Sequence, residues 1–380
     1  MTDSTSQSGF ESLNFEFIKR PGLFKITIVN LLLGIVTLGF YRFWGKTNVR
    51  KHIWSSVHLN GEPLEYTGTG KELFKGFLVV LFAMIMPYVI LITAVSFVMG
   101  PESPWIIILQ MVGLLIVQVF WGYALYKARK FQLSRTNWRG IRGTLVGSPM
   151  TYSLTYFGSL LAKGMSLGWA TPVMNTLLQE QMIGEMRFGD AAFKFKGRAG
   201  PLYPTYALCW LLTFATIIAV PVLLSSGMLG LDFAFFEKLF AGAGASDIGL
   251  DTEEMKRWAR IAIVTFALLF VAFMLLIPML WAVYSAKELR TFANYTRFDG
   301  AQFSLDATAG SVIWLTIVNL LIIVLTIGIG RPFVQRRLVR FLVDRISLAG
   351  KIDVDRIAQS QTRMDSRGEG LADAFDVGGI

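Results

Sequence analysis

The side chain best placed to do chemistry is that of Lys163, which stands inside the otherwise uncharged stretch Gly143 to Gln179. An ammonium at the centre of a bilayer costs about 2.5–3.5 kcal/mol on insertion scales, so a cation kept there is expected to face a hydrated cavity or a partner. The plainer alternative is that the helix stops at Ala162 and Lys163 snorkels to an interface, with Gly164 and Gly168 allowing the break. Asn30 and Asn319 occupy matching places in two copies of the hexapeptide TIVNLL, at Thr27 to Leu32 and Thr316 to Leu321. Buried amides of this kind bond helix to helix for about 0.6–2 kcal/mol, and a ligand-binding role is the sharper alternative. Lys163, Asn30 and Asn319 are the candidate functional or helix-packing residues.

The other reactive side chains do not assemble by spacing. His52 and His58 are the only histidines and lack the i, i+4 spacing of two helical zinc ligands. On a strand both share one face, with Glu62 and Glu65 in sequence reach, yet a metal would still need further ligands. Cys209, the single cysteine, allows no intrachain disulfide and no thiolate metal site, and its apolar surroundings mark it as a packed thiol. Gly68-Thr69-Gly70-Lys71 lacks the G-x-x-x-x-G-K-[ST] spacing of a phosphate loop and reads as a hinge into the next apolar run. No Ser-His-Asp, Cys-His or paired-carboxylate set stands at the end of an apolar run. Neither an enzyme nor a bound metal or cofactor is expected.

The elements that hold these residues are apolar. With 53% hydrophobic and 16% charged residues, the chain is too apolar for an ordinary soluble domain and points to the bilayer as its solvent. Uncharged runs cover Ile26 to Tyr41, Gly76 to Pro101, Ser103 to Tyr126, Ala199 to Leu231, Ile261 to Ala286 and Ala307 to Gly330, and Lys163 interrupts a seventh. All but the first exceed the roughly 20 residues that cross a hydrocarbon core. The net charge of +10 collects where these runs end, as Arg42, Lys46, Arg50 and Lys51, then Lys127, Arg129 and Lys130, then Arg331, Arg336, Arg337 and Arg340. Flanking clusters of this kind set membrane orientation and attract anionic headgroups, so membrane lipids are the expected partners and nucleic acid is not.

Between the runs lie four segments that alternate like strands around a Gly-containing turn: Ile53 to Tyr66 around Asn60-Gly61, Phe131 to Leu145 around Arg139-Gly140, Met182 to Phe195 around Gly189-Asp190, and Phe292 to Leu305 around Asp299-Gly300. The sequence also repeats. Without a gap, the TIVNLL alignment matches Thr37 with Thr326, Gly39 with Gly328 and Arg42 with Arg331. A second constant offset matches Trp121, Lys127, Thr136 and Gly140 with Trp281, Lys287, Thr296 and Gly300. The expected organisation is an N-terminal tail and short strand over 1–22, a membrane repeat over 23–147, and a second over 148–306 with an acidic linker at 225–257. A partial third follows over 307–357, then a disordered tail over 358–380.

The run IVNLLLGIVTLGFYRFWGKTNVRK, from Ile28 to Lys51, followed by LNGEPLEYTGTGKELFKGF, from Leu59 to Phe77, resembles the YjgN-like bacterial inner-membrane proteins, a family of unknown function. The match is most specific from Phe15 to Phe77, with weaker echoes at Thr155 to Phe195 and Thr316 to Gly350. The middle echo departs from the pattern, since PVMNTLLQEQMIGEM carries almost no positive charge. The resemblance implies a multi-pass location in the inner membrane and no established activity.

The fold expected is an all-α polytopic membrane protein of about seven hydrophobic helical segments in internal repeats, with β-hairpins at the membrane face. Segments 26–41, 148–170 and 311–329 either span or turn back as re-entrant segments, because each contains a Thr-Leu-Gly, Ser-Leu-Gly or Thr-Ile-Gly break. Both versions place the C-terminus in the cytoplasm by the distribution of Lys and Arg. In the re-entrant version Phe15-Glu16-Phe17 and Ser347 to Gly350 read as two halves of one further hairpin. Broken helices with intramembrane polar residues suit a transporter- or channel-like protein. The alternative is a structural scaffold that binds lipids, a protein partner or a second copy of itself.

Overall fold

The computed structural model describes residues 10–100, 102–225, 252–354 and 356–359. The expected linker at 225–257 and the expected tail at 358–380 lie almost wholly outside them. Two compact units emerge: the first comprises 1–199, 289–306 and 321–380, the second 200–288 and 307–320.

The four expected hairpins are present in the first unit. Strands β3 (Val57–Leu59) and β4 (Glu62–Pro63), β6 (Thr136–Trp138) and β7 (Ile141–Leu145), β8 (Met186–Phe188) and β9 (Ala191–Phe195), and β10 (Thr296–Phe298) and β11 (Ala301–Leu305) pair across two-residue turns. Asn60-Gly61, Arg139-Gly140 and Asp299-Gly300 have positive φ at both positions, the type I′ geometry whose twist matches that of antiparallel strands. Gly189-Asp190 has it only at Gly189, as a type II′ turn requires.

The hairpins do not stand apart. The last three, joined edge to edge with β5 (Glu65–Tyr66) and β12 (Ile346–Ala349), make one antiparallel sheet of eight strands in the order β12-β11-β10-β9-β8-β7-β6-β5, while the first joins β2 (Phe15–Phe17) in a sheet of three, β2-β3-β4. The register shows what happens between strands. Phe17 pairs with Val57, Tyr66 with Thr136, Leu145 with Met186, Phe195 with Thr296, and Leu305 with Ile346. In each pair the first residue is the last before a helical excursion and the second is the first after it. Five times the chain leaves the sheet and returns to the adjoining position.

Three excursions are short: α1 (Leu23–Val36) with α2 (Arg42–Trp54), α5 (Pro149–Met165) with α6 (Thr171–Gly184), and α9 (Ala309–Leu325) with α10 (Arg331–Val343). Two are long: α3 (Gly70–Met99, through a π turn at Leu81–Ile85) with α4 (Pro104–Ser134), and α7 (Tyr203–Ser225) leading eventually to α8 (Thr252–Tyr295). The short ones bend at equivalent turns. Leu38-Gly39, Leu167-Gly168 and Ile327-Gly328 all have positive φ, and Gly39, Gly168 and Gly328 each donate to the carbonyl five residues back. The hydroxyls of Thr37, Ser166 and Thr326 then accept the N–H four residues on, from Tyr41, Ala170 and Gly330, which starts the returning helix.

This corrects the expected all-α fold of about seven hydrophobic segments. Among the described residues there are ten helices, of which three are long and apolar enough to cross a membrane, Gly70–Met99, Pro104–Ser134 and Gly200–Ala219, beside an extensive antiparallel sheet. Run length misled because charge-free stretches continue through the glycine turns. At about 1.5 Å per residue the outgoing helices α1, α5 and α9 reach only about 21–26 Å. The expected split hairpin is also corrected: β2 pairs with β3 and β12 with β11, and the chain ends meet instead through β1 (Phe10–Glu11) and β13 (Ile352–Asp353).

The sheets curl around one apolar core. Trp138 packs on Phe188, Phe188 on Phe298, Phe298 on Phe193 with centroids 4.4 Å apart, Phe193 on Phe303, and Phe303 on Phe15 of the smaller sheet. The C-terminal segment enters this ring, burying Ile352, Val354 and Ile357. It is strapped across three hairpin turns: Asp353 N donates to Asp299 Oδ2 (3.2 Å), Ala358 N to Asp190 Oδ1 (3.0 Å), and Gln359 Nε2 to Gly140 O (2.7 Å).

In the second unit α7 packs on α8 through Tyr206, whose ring meets those of Trp281 and Tyr284. Cys209 is buried there and its Sγ contacts Leu280 O at 3.2 Å, as a packed thiol should.

Candidate functional site

Helix α2 is polar for a segment flanked by apolar ones, and its cations recur at one spacing. Arg42, Lys46 and Arg50 lie at i, i+4 and i+8, hence on one face. Like charges at this spacing destabilise a helix by about 0.2–0.5 kcal/mol per pair, so helix stability does not explain the stripe. It lines a cleft of about 610 Å³ bounded by α1, α2 and α10. Arg331, the first residue of α10, adds a fourth cation, and among the described residues no Asp or Glu lines the cleft.

Local contacts hold the stripe in place. The Arg42 guanidinium lies 5.1 Å from the Phe77 ring centre and 4.8 Å from that of Phe43. Arg50 Nη1 donates to the Tyr66 hydroxyl at 3.0 Å, and its guanidinium lies over the Tyr66 and Trp54 rings. Burial pushes the Tyr66 phenol above its ordinary value, against the pull of Arg50, so Tyr66 stays a neutral acceptor.

Asn30 reaches this cleft. Its Nδ2 donates to Gly45 O at 3.1 Å, tying α1 to α2, while its buried Oδ1 has no hydrogen-bond partner. Gly45 fits because an added Cβ would lie 3.3 Å from the Asn30 side chain. Asn319 is buried in α9. Lys163 lies at the end of α5, half-buried, where Nζ donates to Asn175 Oδ1 of α6 at 2.7 Å. Thus Lys163 meets a partner within its own hairpin and is not among the cleft residues.

The two histidines have separate surroundings. His58 is buried with Nδ1 3.3 Å from Ser56 O, and His52 lies on α2 near Lys25 and Ser55. Gly68-Thr69-Gly70-Lys71 is a helix start. Thr69 and Glu72 form a capping box, Glu72 pairs with Arg135, and a Cβ on Gly70 would come within 2.7 Å of the Trp44 backbone. The basic cleft was missed in the sequence because its cations read as membrane flanks. Their i, i+4, i+8 spacing was the available signal.

A family model described as "Bacterial protein of unknown function (DUF898)" matches residues 13–374. The inner membrane protein YjgN of Salmonella typhimurium strain LT2 is 40% identical over 57 residues, 15% of this chain and 14% of that protein. Its namesake in Escherichia coli O157:H7 is 29% identical over 119 residues, 31% of this chain and 27% of that protein. The aligned stretches therefore cover well under two thirds of either relative. No solved structure matches the chain. Since the family match runs over almost the whole sequence and three helices among the described residues are long and apolar enough for a bilayer, this membrane protein belongs to the bacterial family of unknown function DUF898.

Proposed function

We propose that the chain is a multi-pass inner-membrane protein that seats anionic lipid headgroups in the cleft between α1, α2 and α10. In this reading the sheet lies on the cytoplasmic side. The long helix pairs cross the bilayer, and the short hairpins, copies of one repeated unit, dip in and return. The five paired departure and return points support this topology, as do exposed apolar tips such as Leu38, Leu167 and Ile327. The names of the YjgN relatives support the inner membrane. Headgroup binding rests on one observation: Arg42, Lys46, Arg50 and Arg331 line one cleft beside a helix whose apolar residues suit lipid.

Native mass spectrometry of the full-length protein, released from membranes containing both phosphatidylglycerol and phosphatidylethanolamine, tests it. Preferential retention of phosphatidylglycerol is expected, with the preference lost in Arg42→Gln/Lys46→Gln/Arg331→Gln. Equal retention of both lipids by the unaltered protein would overturn the reading.

A transporter- or channel-like role has one observation in its favour, the Lys163–Asn175 pair beside a helix break. It requires thermal stabilisation by a soluble ligand that Lys163→Met abolishes.

A further inference from the structure

The basic cleft adjoins a second space through shared wall residues. Trp54 and Val339, which line it, also line a neck of about 310 Å³ together with Val57, Leu64, Thr136 and Leu342. Those four residues in turn line a third space of about 330 Å³ inside the curled sheets, among Phe15, Phe193 and Phe303. Each volume is of the size of a small-molecule site. The character changes along the way. The cleft carries Arg42, Lys46, Arg50 and Arg331, the neck keeps Arg129 and Gln132 as its long polar side chains, and the inner space is walled almost entirely by apolar side chains. Its far side is formed in part by Ile352, Val354 and Ile357 of the C-terminal strap. Adjoining spaces, charged at one end of the series and hydrocarbon-like at the other, match an anionic amphiphile and neither a free anion nor an uncharged lipid.

We propose that the curled sheet is an acyl-chain receptor. An anionic glycerophospholipid places its phosphate among Arg42, Lys46 and Arg331, and one acyl chain passes Trp54 and Val339 into the space lined by Phe193 and Phe303. Because the chain leaves one hydrocarbon environment for another, its transfer is close to neutral, and the headgroup contacts supply both the preference and the orientation. The buried Oδ1 of Asn30, without a partner, suits a headgroup hydroxyl as donor. The proposal rests on the headgroup reading of the cleft and adds the destination of the chain.

The test uses the full-length protein in lipid nanodiscs containing phosphatidylglycerol with a diazirine near the end of one acyl chain. After irradiation, the crosslinked peptides are mapped by mass spectrometry. Crosslinks are expected on peptides carrying Phe193, Phe303 or Leu342, in addition to those on the lipid-facing surfaces of α3 and α4. Leu64→Trp, which fills the junction of neck and inner space, should abolish the interior crosslinks and leave those on α3 and α4 unchanged. Leu342→Phe serves the same purpose should the first variant misfold. Crosslinks confined to the long helices in the unaltered protein would overturn the proposal. If phosphatidylglycerol preference were lost in the cleft variant while the interior stayed unlabelled throughout, the headgroup reading would stand and the acyl-chain receptor would fall. Interior labelling that survives in both Leu64→Trp and Leu342→Phe would also overturn it, since the chain would then arrive by another route.

Discussion

The indole Nε1 of Trp54 donates to the Thr136 hydroxyl over 2.9 Å, joining the last residue of α2 to the first residue of β6. Trp54 faces the basic cleft and Thr136 the apolar interior, and both line the neck between. Thr136 also donates to Gln132 O at 2.8 Å, so the two partners are not equally dependent on the bond. Trp54→Phe should cost about 0.5–1.5 kcal/mol, and Thr136→Val about 1–3 kcal/mol because it strands the indole N–H. Thermal unfolding in detergent checks the order, and the double variant should be no worse than Thr136→Val alone. Equal costs would argue against this bond.

Gly189 should tolerate no side chain. Its φ is 59°, and an added Cβ would stand 2.3 Å from the Ala358 carbonyl oxygen in the strap. Gly189→Ala is expected to destabilise by at least about 1 kcal/mol and to speed amide exchange across 352–359. Unchanged exchange there would mean that the strap is not anchored at this turn.

The tips of the short hairpins should be out of reach from the far side of the membrane. Leu38 and Ile327 are 90% and 92% exposed, as residues facing lipid would be. Cysteines at 38, 167 and 327 in a Cys209→Ala background can be compared with cysteines at the turn residues Asn60 and Asp299. An impermeant maleimide should reach the turn positions from one side only and the tips not at all from the other. Tip labelling from the side opposite the turns would make these hairpins membrane-crossing.

His52 should make the fold acid-sensitive. Burial holds its imidazole below the ordinary value of about 6.5, opposed by a bond to the Arg20 backbone and reinforced by the charges of Arg336 and Arg20. The folded state therefore binds fewer protons than the unfolded one, and stability falls as pH drops through about 6.5 towards the folded value. His52→Gln should flatten the unfolding midpoint between about pH 7.5 and about pH 5.5. An unaltered pH dependence in that variant would assign the titration elsewhere.

Much of the local structure was legible in the chain. Period-two alternation around Asn60-Gly61, Arg139-Gly140, Gly189-Asp190 and Asp299-Gly300 located four hairpins, because two-residue turns with positive φ admit few residue types. The breaks at Thr37, Ser166 and Thr326 were visible for the same reason. Whether the broken segments span or return was left open by the sequence, since each apolar run by itself permits either.

The path of each excursion was tertiary. Strand pairing is non-local: only the register of Phe17 with Val57 and of Leu305 with Ile346 shows that each excursion comes back to where it began. Ridge-like charge on α2 was likewise readable as Arg42, Lys46 and Arg50, whereas the cleft exists only because Arg331 and Val339, from the opposite end of the chain, close its other wall. Sequence spacing sets which side chains share a face; it does not set which distant segment that face will meet, because hydrophobic burial and sheet pairing are satisfied by any complementary partner and the whole fold selects one.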